Sequence, residues 1–304
     1  MPEKVEIKPA AVTDIEPFRT GKMAPHDRVL WFTNPDQINQ MEDFVVPILK
    51  DLQSQDDSKF KGLSVIVRVE GQAKSSIRYL YGILFSIYQR ITLFASKIDA
   101  HLTANLDLRV YLEHFCDIKR VTNHLNASSI NFIVYEEDCG DNLKTVHKPN
   151  VNFIRIQRVL ERVFVPESPL LVSIPDEESF DAVALGGTFD HLHSGHKLML
   201  SLAALLSRDR ILCGITASEM LTSKNHPEKL EPLDSRMFTV QEFLMEFKTG
   251  CERNVEIVTL RDPYGPTIEL EDLDALIVSP ETLPGGLKSK KKAGINENRF
   301  HLLL

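Results

Sequence analysis

The sequence contains few cysteines, and those few are dispersed. Four cysteines among 304 residues, none of them in a CxxC pair, exclude a dense disulfide framework and predict a reducing compartment. No window approaches the roughly 18 uninterrupted apolar residues of a membrane span, and the opening MPEKVEIKPA lacks the apolar segment of a secretory signal. The net charge of −8 argues against nucleic acid as the main partner. These absences predict a soluble cytoplasmic protein.

Two phosphate-binding motifs are also missing, since neither GxGxxG nor the P-loop GxxxxGK[ST] occurs in the chain. What is present is a composition, 43% hydrophobic and 26% charged, that can fill a substantial core. Strand and helix patterns alternate in the first half, which predicts an α/β domain with a mainly parallel sheet. The predicted strands cover 28–33, 63–69, 106–112 and 130–135, and the predicted helices cover 37–52, 76–89 and 153–165.

Composition also suggests where the chain divides. We expect a flexible lead-in at 1–27, a first α/β domain at 28–165, a proline-rich and acidic linker at 166–179, and a second domain at 180–304. The first domain shows no recognisable chemistry. It could be a scaffold, a regulatory module or a degenerate enzyme domain.

The most informative stretch is 180–206, which reads FDAVALGGTFDHLHSGHKLMLSLAALL. An apolar run ends at Gly186 and Gly187, a polar turn with three histidines follows, and the apolar spacing then predicts a helix. A strand that breaks at glycines before a helix directs backbone N–H groups and a positive dipole end at the gap, which favours phosphate. No downstream Cys or His pair completes a zinc site. Imidazoles at a helix N-terminus instead suit substitution at phosphorus.

The residues of this stretch resemble the signature of a known protein family. GGTFDHLHSGHKLML resembles the first signature of the nucleotidyltransferases with a (H/T)xGH motif, found here at 193–196. Within that superfamily the chain is most similar to the eukaryotic type of phosphopantetheine adenylyltransferase. Further similar stretches are ILCGITASEM with the lysine-bearing LTSK at 211–224, EPLDSR at 231–236, LRDPYGPT at 260–267 and LIVSPET at 276–282. The resemblance covers about 180–300 and implies a Rossmann-like parallel sheet.

The resemblance implies adenylyl transfer from ATP to 4′-phosphopantetheine, giving dephospho-CoA and pyrophosphate. It implies Mg²⁺ bound by nucleotide oxygens and water rather than by a dedicated ligand cluster. The implied catalytic residues are His196, His193, Lys224 and Thr188. The implied ATP-binding residues are Gly186, Gly187, His193, Gly195, His196, Ser279, Glu281 and Thr282. The implied substrate-binding residues are Thr188, Asp190, Lys224 and Arg236.

Simpler explanations exist for several of these residues: Lys224 could be a solvated loop lysine, Arg236 a surface helix charge, and 262–265 a tight turn. A cytidylyltransferase is an alternative function, although its RTxGIST motif is missing. Another is a catalytically weak scaffold for enzymes of coenzyme A synthesis.

The family's SSxxxR motif does not follow Ser279 or Ser289, so we expect the second domain to be C-terminally incomplete. Without a P-loop, the dephospho-CoA kinase would be a separate chain and a potential partner. The basic run at 288–292 would permit nuclear access.

Overall fold

The computed structural model describes residues 28–54, 61–71, 76–116, 121, 130–136, 151–156, 180–222, 226–249, 254–262, 272–279, 282–292 and 301–303. The described part of the chain forms two sheets of five parallel strands, and helices lie in several of the connections between these strands. Among these residues, no helix is both long and apolar enough to span a bilayer. The predicted linker at 166–179 lies outside the described residues.

The first sheet has the strand order β3-β2-β1-β4-β5, and all its neighbours are parallel. Strand β2 is buried along its whole length, which explains why its sequence is nearly continuous in apolar residues. The elements are β1 Arg28–Phe32, a 3₁₀ turn Pro35–Gln40, α1 Met41–Gln53, β2 Lys61–Val67, α2 Ile77–Ile98, α3 Ala100–Asn105, β3 Leu106–Leu112, β4 Ile130–Glu136 and β5 Val151–Ile156.

One predicted element is wrong. The sequence pattern predicts a helix from residue 153, whereas Val151–Ile156 is the edge strand β5, paired in parallel with β4. A short apolar segment fits either periodicity, and pairing with a neighbouring strand decides between them. Residues 157–165 lie outside the described part.

The second sheet has the order β10-β9-β6-β7-β8, again with parallel neighbours. Its elements are β6 Phe180–Gly187, α4 Ser194–Leu206, β7 Ser207–Thr216, the 3₁₀ turns Ser218–Leu221 and Pro227–Lys229, α5 Leu233–Phe247, β8 Val255–Leu260, β9 Ala275–Ile277, α6 Leu283–Lys292 and β10 His301–Leu303. Numbered within each sheet, both read 3-2-1-4-5, the strand order of doubly wound nucleotide-binding folds. The predicted fold class is therefore confirmed.

The two sheets and their helices contribute to one hydrophobic core. Helix α2 of the first half packs against α4 of the second, and a single cluster of buried apolar side chains includes residues of both halves. Phe115, after β3, lies 6.0 Å from the ring of Phe247 at the end of α5. The backbone N–H of Thr249 donates to the carbonyl of Phe115 at 2.9 Å. The first half therefore covers the helices that follow the histidine-rich turn.

Candidate active site

The histidine-rich turn leaves the sheet where the strand order reverses. Strand β6 lies between β7 and β9, and the helices that follow β6 and β9 begin at the same edge of the sheet. Ligands of open parallel sheets bind outside the carboxyl ends of strands at this switch point. The turn from Thr188 to His193 is therefore in the position where this fold places a nucleotide.

The backbone of the turn is strained. Phe189 and His191 both have positive φ angles, 50° and 44°, which are uncommon for residues with a side chain. Phe189 is buried and holds its part of the turn against the core. A Cβ added to Gly187 would lie 3.2 Å from the Phe189 ring, so the glycine makes room for that ring. Strain of this kind persists only where surrounding contacts fix it, and it is common at functional sites.

His193 caps the N-terminus of α4 with its side chain. Its Nδ1 accepts hydrogen bonds from the backbone N–H groups of Gly195 at 3.2 Å and His196 at 3.4 Å. Because Nδ1 is an acceptor, the ring proton of the neutral form is on Nε2. Burial of one part of the ring, and then the charge of Lys197, lower the pKa of His193. His193 is thus a neutral imidazole with an Nε2–H donor.

The rings of His193 and His196 are stacked, with centroids 3.7 Å apart and planes inclined by 21°. The ring centroids of Phe189 and His196 are 5.2 Å apart, and the two ring planes are tilted relative to each other. A Cβ at Gly195 would be 3.2 Å from Cε1 and Nδ1 of His193, so a side chain there would push on the capping ring. The (H/T)xGH spacing therefore produces a paired imidazole group at the positive end of a helix.

The segment before α5 closes over this turn. The backbone N–H of Glu231 donates to Asp190 Oδ1 at 2.8 Å, and Glu231 Oε2 accepts from the backbone N–H of His191 at 2.7 Å. These two reciprocal hydrogen bonds join residues 190 and 191 to Glu231 in the segment before α5. Asp190 thus stabilises the turn. In both of these hydrogen bonds the partner is another residue of the protein.

Arg236 is fully buried beneath the same turn. Its Nη1 donates to the carbonyls of Thr188 at 2.7 Å and Thr216 at 2.9 Å, and its Nε donates to the carbonyl of Glu231 at 3.0 Å. The interpretation of Arg236 as a surface helix charge is wrong, because packing of α5 on β7 turns its first turn inward. The guanidinium joins the ends of β6 and β7 to the segment before α5.

Ser279 and Thr282 lie between β9 and α6. The backbone N–H of Ser279 donates to Thr282 Oγ1 at 2.9 Å, and the two hydroxyl oxygens are 3.0 Å apart. Because Leu185 is paired with Ile277, the chain leaves β9 beside the histidine-rich turn. This places both predicted ATP-binding hydroxyls at the switch point.

The structure thus brings most of the predicted site to one edge of the sheet. Lys224 and Glu281, together with 263–267 of the DPYGP stretch, lie outside the described residues. Within the described ranges, no three His, Cys, Asp or Glu side chains come together as a metal site requires.

Sequence reasoning missed the contacts that support the turn. Thr216 Oγ1 donates to the carbonyl of Gly187 at 3.0 Å. A Cβ on Gly214 would lie 2.5 Å from Leu260 Cδ2, so this glycine allows close packing of β7 and β8. Both residues lie in the ILCGITASEM stretch at 211–220, but the contacts they make became apparent only from the packing of β6, β7 and β8.

The first sheet differs at the equivalent position after β1. There Gln37 Oε1 accepts from the backbone N–H of Thr33 at 3.0 Å, its Nε2 donates to Thr33 Oγ1 at 3.0 Å, and Asn34 Oδ1 accepts from Asp36 N at 2.9 Å. Pro35 supplies the first position of the following 3₁₀ turn and has no N–H to offer. At this end of β1 these polar groups therefore hydrogen-bond to one another.

Part of the chain is similar to known proteins. Residues 184–296 match the cytidylyltransferase-like family. The chain is 43% identical to phosphopantetheine adenylyltransferase of Saccharomyces cerevisiae over 131 residues, which is 42% of each protein. It is 41% identical over 109 residues to phosphopantetheine adenylyltransferase of Methanopyrus kandleri, covering 36% of this chain and 67% of that protein. With the Pyrococcus furiosus protein of the same name it is 31% identical over 122 residues, covering 39% of this chain and 74% of the relative.

The parallel sheet, the switch-point turn and the family match identify residues 184–296 as a cytidylyltransferase-like domain. The relatives narrow this class: the chain belongs to the phosphopantetheine adenylyltransferase family. The chain matches about two fifths of the length of the yeast relative.

Proposed function

We propose that this protein transfers the adenylyl group of ATP to the phosphate of 4′-phosphopantetheine, giving dephospho-CoA and pyrophosphate. The observation that carries the proposal is the stacked His193–His196 pair at the N-terminus of α4, at the switch point of the sheet. The names of the yeast and archaeal relatives support the choice of substrates. The few, dispersed cysteines fit a cytoplasmic place of action.

In this reaction an oxygen of the acceptor phosphate attacks the α-phosphorus of ATP, and the bond from that phosphorus to the β-phosphate oxygen breaks. The electron pair leaves with pyrophosphate, so the protein needs no covalent intermediate. Catalysis then depends on positioning and on stabilising charge on the phosphoryl oxygens. The helix dipole of α4 and donors directed from its N-terminus supply this stabilisation.

We assign the donor roles to the two stacked rings and to Lys224. His193 remains neutral because its Nδ1 caps α4, so it contributes the Nε2–H hydrogen bond rather than a full charge. His196 contacts the nucleotide phosphates, Thr188 the acceptor phosphate, and Lys224 reaches the phosphates from its loop. Mg²⁺ would arrive on the nucleotide oxygens and neutralise part of the triphosphate charge.

Two predicted substrate-binding residues receive supporting roles. Asp190 and Arg236 bond to the backbone of the turn and of the 231 segment, and they position Thr188 and the histidines. Ser279, Thr282 and Glu281 remain candidates for the nucleotide because their segment follows β9 at the same edge. The separate dephospho-CoA kinase is a proposed partner, since it would consume the product.

Pyrophosphate release tests the proposal. We expect release only when ATP and 4′-phosphopantetheine are both present, with CTP replacing ATP poorly. His196→Ala should lower kcat by about 100-fold or more, because it removes a donor to the transition state. His101→Ala, an exposed histidine of α3, is the matched control and should keep normal activity.

The alternatives predict different results. Preference for CTP would support a cytidylyltransferase. Normal cellular function of His196→Ala at a normal protein level would support a scaffold role and contradict catalysis.

A further inference from the structure

The edge of the first sheet presents three polar side chains to the second half of the chain. Asp107, Arg109 and Tyr111 alternate along β3, and alternate residues of a strand lie on one face. On the second half, Lys197 of α4 and Glu246 of α5 meet them. These five residues form what we call the boundary cluster.

The boundary cluster is hydrogen-bonded from one half of the chain to the other. Glu246 Oε2 accepts from Arg109 Nη1 at 2.6 Å and from the Tyr111 hydroxyl at 2.5 Å. Arg109 Nη2 is 2.9 Å from Asp107 Oδ2. Lys197 Nζ donates to the other oxygen of Asp107 and to the carbonyl of Leu108, the latter at 2.9 Å. Two cations thus alternate with two carboxylates.

These charges are deeply buried. The exposed fraction of the side chain is 3% for Lys197, 14% for Asp107, 6% for Arg109 and 1% for Glu246. Burial lowers the pKa of Lys197, while the charge of Asp107 opposes that shift. Desolvation of a buried ion pair generally cancels most of its attraction, so such a pair adds little net stability, and in some proteins it serves to specify one geometry. A positioning role therefore explains the cluster better than a stabilising one.

Lys197 connects the cluster to the histidine pair. It follows His196 directly, and its backbone N–H donates to the carbonyl of His193 at 3.0 Å. A cation in the first turn of a helix is unfavourable beside the positive dipole end, and here Asp107 compensates it. In the first turn of α4, the backbone of Lys197 is therefore bonded to His193, while its side chain is held by Asp107 of the first sheet.

We propose that the Asp107–Lys197 ion pair is a positioning device for the histidine pair, which makes the first domain a working part of the transferase site. The proposal assigns Asp107 and Lys197 as positioning residues that contact neither substrate. Its kinetic consequences rest on the proposed adenylyl transfer, whereas its structural consequence, the placement of the two rings, does not.

Asp107→Asn tests the device in the full-length chain. A displacement of about 1 Å at a catalytic group can cost 100-fold in rate, so we expect kcat to fall by about 10- to 100-fold and KM to change much less. Lys197→Met should produce a similar fall, and the double variant should be no worse than either single variant, because the pair acts as one unit. Asp51→Asn is the matched control, since it breaks the Arg28–Asp51 ion pair on β1 and α1.

Stability is measured on the same variants to separate positioning from folding. Asp107→Leu combined with Lys197→Met replaces the pair with apolar side chains and should unfold near the wild-type midpoint, as such replacements often do. We expect its kcat to remain low. Recovery of activity together with stability would overturn the proposal, as would wild-type kcat in Asp107→Asn or multiplied losses in the double variant.

A ligand-free readout separates this proposal from the proposed reaction. Stacked rings shift each other's proton resonances, so displacement of the turn should move the ring signals of His193 and His196 in the NMR spectrum. We expect Asp107→Asn to move them, Asp51→Asn to leave them, and Asp107→Asn to add nothing in the Lys197→Met background. Unmoved signals in Asp107→Asn would refute the device even in an active enzyme. If the wild type released no pyrophosphate, the reaction would be wrong and this test would still stand.

Discussion

Replacement of Arg236 by methionine should damage stability and activity together. The guanidinium is fully buried and donates to three backbone carbonyls, those of Thr188, Thr216 and Glu231. Methionine has a similar length and fills much of the volume, so the substitution chiefly removes the donors. The three carbonyls then lose these hydrogen bonds at the point where β6, β7 and the segment before α5 converge.

The magnitude follows from those three bonds. A buried acceptor left without its donor costs about 1–3 kcal/mol, and local relaxation reduces the sum for neighbouring groups. We therefore expect the free energy of unfolding to fall by about 3–5 kcal/mol, a large part of the roughly 5–15 kcal/mol of a typical domain. Release of the Thr188 carbonyl should also lower kcat by about 10- to 100-fold, because Thr188, which we propose contacts the acceptor phosphate, is no longer fixed.

Urea unfolding and pyrophosphate release measure the two effects. Arg208→Met is the matched control: that side chain is 61% exposed, and its loss should change the free energy of unfolding by about 0.5 kcal/mol or less. Arg236→Lys retains the charge but not the forked geometry, and should fall between wild type and Arg236→Met. If Arg236→Met lost no more unfolding free energy than Arg208→Met, the assigned role of Arg236 in holding the three carbonyls would be refuted.

Three further predictions concern the turn and its support. Gly195→Ala should lower kcat clearly while it changes the thermal unfolding midpoint little, because the added Cβ would lie 3.2 Å from the His193 ring. Activity and thermal unfolding measured on the same sample check this. Gly214→Ala should cost about 1–3 kcal/mol of unfolding free energy by overpacking, since its Cβ would lie 2.5 Å from Leu260 Cδ2, whereas Gly285→Ala meets nothing within 4 Å and should cost nothing. The pKa of His193 is lowered, so the unfolded chain protonates first as the pH falls below about 6.5, and stability should decline there. Unfolding midpoints between pH 7 and pH 5 should show a weaker decline for His193→Asn, and an unchanged decline would contradict the lowered pKa.

The sequence by itself determined the local features of the second half of the chain. Glycines 186 and 187, the three histidines and the following apolar spacing specify a strand, a turn and a helix through interactions only a few residues apart. The same is true of the strands β1 to β4, whose apolar runs were sufficient to predict them. The edge strand β5 could not be predicted, because a short apolar segment becomes a strand or a helix according to the neighbour it finds.

Tertiary structure decided everything that depends on distant partners. No local sequence pattern predicts the burial of Arg236 or its hydrogen bond to Thr188, 48 residues away. The same holds for the matching strand orders of the two sheets and for the Asp107–Lys197 contact across 90 residues. A charged residue has the same sequence signature whether it lies in solvent or in a buried pair, because its environment is set by the packing of remote elements. The chemistry of the turn is therefore local, whereas its positioning belongs to the whole fold.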